Sequence, residues 1–388
     1  NQAIYKSVST KNGAIVKMAF NPDNETFVSV SPELSNITLW SVKDLEALDI
    51  LRGYSNLIYT IKVSPQGNWL GAGGVDCSVL LWDLTKPPQT PPINLKGHSG
   101  YVTGITFSQD GKTIASSSSD NTIKLWDLAT HKCWRTLFGH KKSIISVVFS
   151  ADSRFLISGE EEGNLNLWSL INGKNLSSLP AHQGRIRNLI FSLDYKTLAS
   201  GGEDGLIKLW KFEAEIATIE PIREWHSQTE LVMTLAFDRT GKQLFSGGAD
   251  GMVRSWDVLT GECIGSVQAH NSLIWSIDYN PNLQTLATTD EVGLVRVWKV
   301  DQADRMELIN SFKHDNKAIT VAFNLEGNLL WSGGDSGKIK VWSLEEARLL
   351  ATLSAPAPYD RLNIEGVRGL TEAQRVNLLN LGAYETPH

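Results

Sequence analysis

Basic charge is the plainest deficit in this chain: 36 Lys and Arg stand against 42 Asp and Glu, a net of −6 with the histidines neutral. A general nucleic-acid binder needs clustered cations to displace phosphate counterions, and this balance argues against one. No apolar run reaches the ~20 residues that span a bilayer, so no membrane partner is expected. Cysteine is scarce. Cys77, Cys133 and Cys263 lie far apart and cannot all pair, so no disulfide framework is implied and a reducing, cytoplasmic setting is expected. No signal peptide is visible, and the chain begins at Asn1 rather than Met, as a processed chain or a piece of something longer would. A hydrophobic content of 41% with 32 glycines suits a globular chain and argues against disorder.

Tryptophan, by contrast, is abundant and periodic. Eight of the 13 fall at Trp40, Trp82, Trp126, Trp168, Trp210, Trp256, Trp298 and Trp342, spaced by 42, 44, 42, 42, 46, 42 and 44. His98, His140, His182, His226, His270 and His314 keep the same beat. A period of this length marks a repeat architecture.

One repeat, from Gly97 to Leu137, shows the unit. Tyr101 to Phe107 alternates polar and apolar residues as a half-buried strand does. Ser108-Gln109-Asp110-Gly111 is a turn, with Gly supplying positive φ. Thr113 to Ser116 is a second short strand, Ser119-Asp120-Asn121 a tight turn, Thr122 to Trp126 a third strand and Cys133 to Leu137 a fourth. Four short strands per ~43 residues is the arithmetic of a propeller blade.

From residue 10 to 353 the chain resembles the WD-repeat family, in the stretches Gly97-His98 to Trp126-Asp127, Gly139-His140 to Trp168, Ala181-His182 to Trp210, and His226 to Trp256-Asp257. The resemblance implies an all-β fold, a β-propeller of four-stranded antiparallel blades, each built from three strands of one repeat and one from its sequence neighbour. Eight tryptophans favour eight blades. The alternative is seven, with the degenerate first repeat outside the ring, since Lys11 replaces its His and Leu34 its turn Asp. Either Ala3 to Val8 or Arg348 to Leu353 would complete the last blade. The expected division is a propeller over 1–353 and a linker with a short C-terminal helix over 354–388.

Ser, His and Asp recur together, as nucleophilic machinery would. An enzyme, however, needs one such set rather than near-copies around a ring. The resemblance implies a structural hydrogen-bond network instead: His98, Ser116, Asp120 and Trp126; His182, Ser200, Asp204 and Trp210; His226, Ser246, Asp250 and Trp256. Glu162, Val292 and Ser336 occupy the Asp position in three repeats, while Tyr54 and Ala72 replace His and Ser in another, so those blades are expected to rely more on packing. Other chemistry is absent. Gly71-Ala72-Gly73-Gly74 has no helix to follow it, and Gly111-Lys112-Thr113 lacks the earlier glycine of a P-loop. No Cys-x-x-Cys or His-Glu-x-x-His occurs, so no catalytic residue, metal site or cofactor is expected.

The resemblance places partner contacts on the face carrying the loop before the first strand and the turn between the second and third. The exposed offsets there give Tyr59, Tyr101, Arg185, Arg187, Met233, Trp275 and Lys317, with Glu161, Glu203, Glu291 and Asp335 at the turns. Tyr, Trp and Arg dominate interface energetics, so a protein or peptide partner is expected. Glu160-Glu161-Glu162, Glu203 and Glu291 add an acidic arc that would steer a basic segment and disfavour nucleic acid. Trp69, Trp134, Trp225 and Trp331 are read as rim or inter-blade packing. The alternative reading is an enzyme using the central channel, which would need polar groups converging there. First-strand residues such as Ile105, Val147, Leu189 and Leu235 instead read as packed.

Beyond the repeats, Ala355-Pro356-Ala357-Pro358 is a stiff linker. Leu370 to Gly382 reads as one helix with a Thr371/Gln374 capping box and a glycine stop. It is too short to stand alone and is expected to dock on the propeller or another domain. The string from Pro358 to Gln374 is similar to the ending of cyanobacterial multidomain WD-repeat proteins, in which the propeller follows a NACHT- or NB-ARC-type signalling ATPase. That similarity implies a sensor module or subunit within a larger assembly.

Overall fold

The computed structural model describes residues 57–354, apart from 89, 302–304 and 315, together with the backbone strands Lys17–Phe20, Thr26–Ser31, Asn36–Ser41 and Ala47–Arg52 of the first repeat. The Ala3 to Val8 stretch, Leu34, Tyr54 and the C-terminal helix of the sequence reading lie outside these residues. Among the described residues every regular element is a strand. The chain divides into two compact units, Asn56–Pro356 and Asn1–Ser55 with Ala357–His388.

The larger unit holds seven four-stranded antiparallel blades, each made of four consecutive strands. Their first strands are Ile58–Val63, Val102–Phe107, Ile144–Phe149, Ile186–Phe191, Val232–Phe237, Ile274–Asn280 and Ala318–Phe323, and they number blades 1 to 7. Blade 2 continues through Thr113–Ser118, Ile123–Asp127 and Cys133–Leu137, within two residues of the sequence expectation. Arg348–Ser354 is the fourth strand of blade 7 and completes it.

Both faces of a blade's inner strands are covered by neighbours, so a strand such as Phe155–Glu160 is buried throughout, while the outer fourth strand stays largely exposed. Ile123 and Leu125 pack towards blade 3, whereas Trp126 packs towards Val79 and Leu81 of blade 1. Trp126 is 2% exposed; burying an indole contributes about 5 kcal/mol as an upper bound on the transfer scale. Seven such cores occur, one between each pair of adjacent blades.

The core between blades 7 and 1 closes the ring: Ile58, Ile61 and Trp82 pack with Trp331, Ile339 and Leu353. The Ile61 N–H also donates to Thr320 Oγ1 at 3.1 Å across that junction. Seven blades therefore complete the circle, and the favoured count of eight gives way to the alternative of seven. The four strands of the first repeat form a sheet of their own within the smaller unit. A periodic tryptophan marks a sheet, but ring membership depends on which apolar faces meet.

Two irregularities repeat around the ring. The turn between second and third strands needs a left-handed residue, supplied by Cys77, Asn121 and then glycine in blades 3 to 7. On the rim, the fourth strands of blades 2 to 7 bulge beside the tryptophan, leaving Trp134, Leu176, Ile222, Ile264, Ile309 and Leu350 out of the pairing register. Blade 1 lacks this bulge, and its fourth strand, Ile93–Lys96, has only four residues.

Candidate functional site

The repeated polar residues come together as a buried chain of hydrogen bonds. In blade 2, His98 Nδ1 lies 2.8 Å from Asp120 and its Nε2 2.7 Å from Ser116 Oγ, while the Trp126 indole N–H donates to that Oγ at 2.9 Å. Blade 4 repeats it with His182, Asp204, Ser200 and Trp210. A carboxylate only accepts, so Nδ1 carries the proton and Nε2 takes the serine O–H. Burial works to raise the Asp120 carboxyl, but bonds from His98, Thr122 and the Ser99 N–H outweigh it and hold the group well below the ordinary carboxylate range. Burial also pushes the His140 and His182 imidazoles down, against the pull of Glu160 and Asp204.

Two blades expected to be weakly held carry the full network. In blade 3 the carboxylate is Glu160, 2.7 Å from His140 Nδ1, with Ser158 and Trp168 completing the chain. In blade 6 it is Asp290, 3.0 Å from His270, with Thr288 in place of serine beside Trp298. Both acids end the second strand, two residues before Glu162 and Val292. Blade 4 has Gly202 at that place, where a Cβ would stand 2.4 Å from His182 Nδ1. The carboxylate thus reaches the same imidazole from either of two positions.

His226 corrects the reading in the other direction. Blade 4 has a nine-residue fourth strand, Thr218–His226, so His226 is drawn into pairing with Leu206 and is exposed. Blade 5 keeps Trp256 on Ser246 at 2.8 Å, and Asp250 pairs with Arg254 at 2.7 Å instead. Blade 7 is held differently, with His314 Nε2 donating to the Ser332 carbonyl at 3.1 Å and Trp342 stacked on Phe312. Ala72 of blade 1 is buried and offers no hydroxyl.

The upper face, carrying the tight turns, surrounds the ring's axis. In every blade the first strand bulges against the second, skipping Tyr59, Thr103, Ile145, Arg187, Met233, Trp275 and Ile319 in turn. A bulge re-aims a side chain, and all seven line a cavity of about 750 Å³ walled by the first strands of all seven blades. Tyr101, Arg185 and Glu161 line it too, so the structure gathers seven of the residues read from the sequence as partner-binding. Met233 is 8% exposed and serves as wall more than surface.

Tyr59 and Tyr101 lie with ring centroids 6.3 Å apart. Burial, aided by Tyr101, raises the Tyr59 hydroxyl above its ordinary value. Arg185 Nε donates to Glu161 at 3.0 Å and Arg187 bonds Glu203. The Glu161 bond raises the Arg185 guanidinium further. Lys317 and Glu291 pair at 2.7 Å; they, Glu203 and Asp335 stand outside the cavity lining. Four acids of the arc are therefore neutralised in place, Glu161 and Glu203 by the arginines, Glu162 by Lys142 and Glu291 by Lys317, while Glu160 accepts a hydrogen bond from the neutral His140.

Deeper in the cavity, the first strands are stitched to one another by hydroxyls that the sequence reading did not single out. Ser146 accepts from the Leu189 N–H, Thr234 from Ile277 and Ser276 from Val321. Ile105, Val147, Leu189 and Leu235 are buried as expected. Lys62 and Asp278 are the charged side chains at this level, and Asp278 accepts the Phe323 N–H at 2.8 Å between blades 6 and 7. Burial raises its carboxyl against the charge of Lys62. Of the remaining tryptophans, Trp331 is buried between blades 7 and 1, Trp69 packs on the blade 1–2 core, Trp225 lies 6.0 Å from Trp256, and Trp134 is 46% exposed.

Seven stretches of the chain, residues 45–83, 89–127, 131–169, 173–211, 219–257, 261–299 and 306–343, match the family described as WD domain, G-beta repeat. Each begins on or just before the fourth strand of one sheet and ends at or near the end of the third strand of the next. The chain is similar to the target of rapamycin complex subunit wat1 of Schizosaccharomyces pombe, 23% identical over 136 residues, 34% of this chain and 43% of that protein. It is also similar to the small ribosomal subunit protein RACK1y of Oryza sativa, 34% identical over 71 residues, 18% of this chain and 21% of that protein. A third relative is the ribosome biogenesis protein bop1 of Danio rerio, 38% identical over 63 residues, 15% of this chain and 8% of that protein. The chain spans less than half the length of these curated relatives. With matched repeats over well more than half its residues and seven blades closing one ring, the chain belongs to the WD-repeat family.

Proposed function

We propose that this propeller is a non-catalytic interaction module that holds a protein or peptide segment at the upper mouth of its axial cavity. The observation carrying this reading is the sevenfold bulge. One residue per blade is released from strand pairing and turned to the mouth, and those residues include Tyr59, Arg187 and Trp275. Aromatic and arginine side chains around a concave, half-buried site are the composition of binding hot spots. Relatives named as a subunit of the target of rapamycin complex and as a ribosomal subunit protein support work within assemblies. In the same spirit, the chain would serve a larger signalling assembly, as the tail's similarity implied, from the cytoplasmic location that its scattered cysteines suggested.

Selection of a displayed random-peptide library on the chain tests this. Peptides are expected to be recovered that lose binding to a Trp275→Ala, Arg185→Ala double variant whose melting temperature is unchanged. Peptides that bind the variant equally well would place recognition elsewhere.

A further inference from the structure

The mouth is not uniform around its circumference, and this asymmetry specifies what it takes. Blades 5, 6, 7, 1 and 2 line it with Met233, Trp275, Ile319, Tyr59 and Tyr101, an apolar and aromatic arc in which the buried Met233 and Ile319 form wall between half-buried aromatic rings. Half-buried Leu231, Leu273 and Leu57 flank it on blades 5, 6 and 1. Charge at the mouth's lining is confined to blades 3 and 4, where Glu161, Arg185 and Arg187 are tied together through Glu203.

That sector is balanced, two acids against two arginines, with no net sign to draw a charged ligand. It offers both donors and acceptors, as a peptide backbone requires. Beneath the arc, the wall one level down carries Thr106 and Ala322 beside Lys62 and Asp278, while Val148 and Ile190 stand beneath the charged sector. The drop from Trp275 to Asp278 is three residues, about 10 Å at strand rise, deep enough for a large side chain to enter before meeting a buried charge.

We infer that the mouth takes a short extended peptide segment anchored by one large apolar or aromatic side chain, its backbone crossing the Glu161–Arg185–Glu203 sector. The inference rests on the reading of the upper face as a peptide site and adds the chemistry of the ligand. Apolar burial supplies the affinity and the balanced sector sets direction, so binding is insensitive to salt.

The test uses fluorescein-labelled peptides of the form Ser-Gly-X-Gly-Ser-amide, with X as Trp, Leu, Arg, Glu or phosphoserine, titrated by fluorescence anisotropy against the full chain. Trp and Leu peptides should bind at least about tenfold tighter than the charged ones, and equally at about 50 and 500 mM salt. Trp275→Ala should weaken them about tenfold with an unchanged melting temperature, and Tyr59→Ala should do likewise as an independent check. Preference for Arg, Glu or phosphoserine, a steep salt dependence, or apolar peptides indifferent to both variants would overturn the inference. Library peptides that bind at the mouth but lack an apolar anchor would sink this inference alone. Recovery of none at the mouth would sink the peptide-site reading with it.

Discussion

Glu160 lies 2.7 Å from His140 Nδ1, reaching from the end of a strand to the imidazole that Asp120 and Asp204 reach, in their own blades, from a turn. Glu162, at the turn position of the same blade, instead faces Lys142 at 3.6 Å with both side chains about half exposed. The two glutamates should therefore behave differently. Glu160→Ala is expected to cost about 1–3 kcal/mol, since it leaves a buried imidazole N–H unsatisfied. Glu162→Ala should stay within about 0.5 kcal/mol, as exposed substitutions do. Urea unfolding of the two variants checks this, and equal losses would refute the assignment.

Ser116 accepts the Trp126 indole N–H and donates to His98, whereas Ser246 is bonded to Trp256 alone. Ser116→Ala should consequently destabilise more than Ser246→Ala, by roughly one orphaned buried group, about 1–3 kcal/mol. His226→Ala should be nearly silent, because that imidazole is exposed at a strand end. Thermal melts of the three variants give the ranking.

Stability should fall as pH drops, in two stages. In the unfolded chain His140 and His182 protonate near 6.5, while in the ring burial holds them neutral to lower pH. Between those values the unfolded chain binds more protons. Their contribution is thus complete above 6.5 and lost as pH falls through the lowered folded value. Asp120, Asp204 and Asp290 are held below their unfolded 3.8, so their contribution is complete above that and lost at still lower pH. Urea midpoints measured from about pH 8 to about pH 2 should show the first loss and the onset of the second, and a His140→Gln, His182→Gln variant should flatten the first.

Thr320 carries the hydroxyl stitch across the junction where chain continuity is absent, between blades 7 and 1. Thr320→Val keeps the shape and removes the acceptor for the Ile61 N–H, with an expected loss of about 1–3 kcal/mol. Hydrogen exchange at Ile61 should accelerate while the amide of Leu189, stitched to Ser146 in another junction, does not.

Much of this molecule was legible because its signals are local. The Trp and His beat, the alternation in Thr122 to Trp126 and the turn at Asp120-Asn121 each arise within a few residues, and each landed where expected. What was missed depends on tertiary context. Glu160 sits two positions from where the repeat's offset pointed, and only the closeness of His140 in space identifies it as the partner. His226 fell on the beat, yet the extra length of blade 4's last strand carried it out of the network. The count of eight failed for a related reason: Trp40 and its strands specify a sheet, but the apolar contact of Ile58 and Ile61 with Trp331 and Ile339 had already closed the circle. At the candidate site, offsets found Tyr59, Arg187 and Trp275, while Ser276, Thr320 and Asp278 gave no signal because their role is set by the neighbouring blade's amides.

A disc of seven sheets exposes seven outer strands, each an open template on which a second molecule could zip. The kinks at Trp134, Leu176, Ile222, Ile264, Ile309 and Leu350 break the ladder in six of them. In blade 1 the strand is only four residues long, and Pro87, Pro88, Pro91 and Pro92 precede it. The perimeter is therefore protected from polymerisation by its own irregularity, so the protein can stay discrete at concentrations where a smooth-edged wheel of the same composition would grow into fibres.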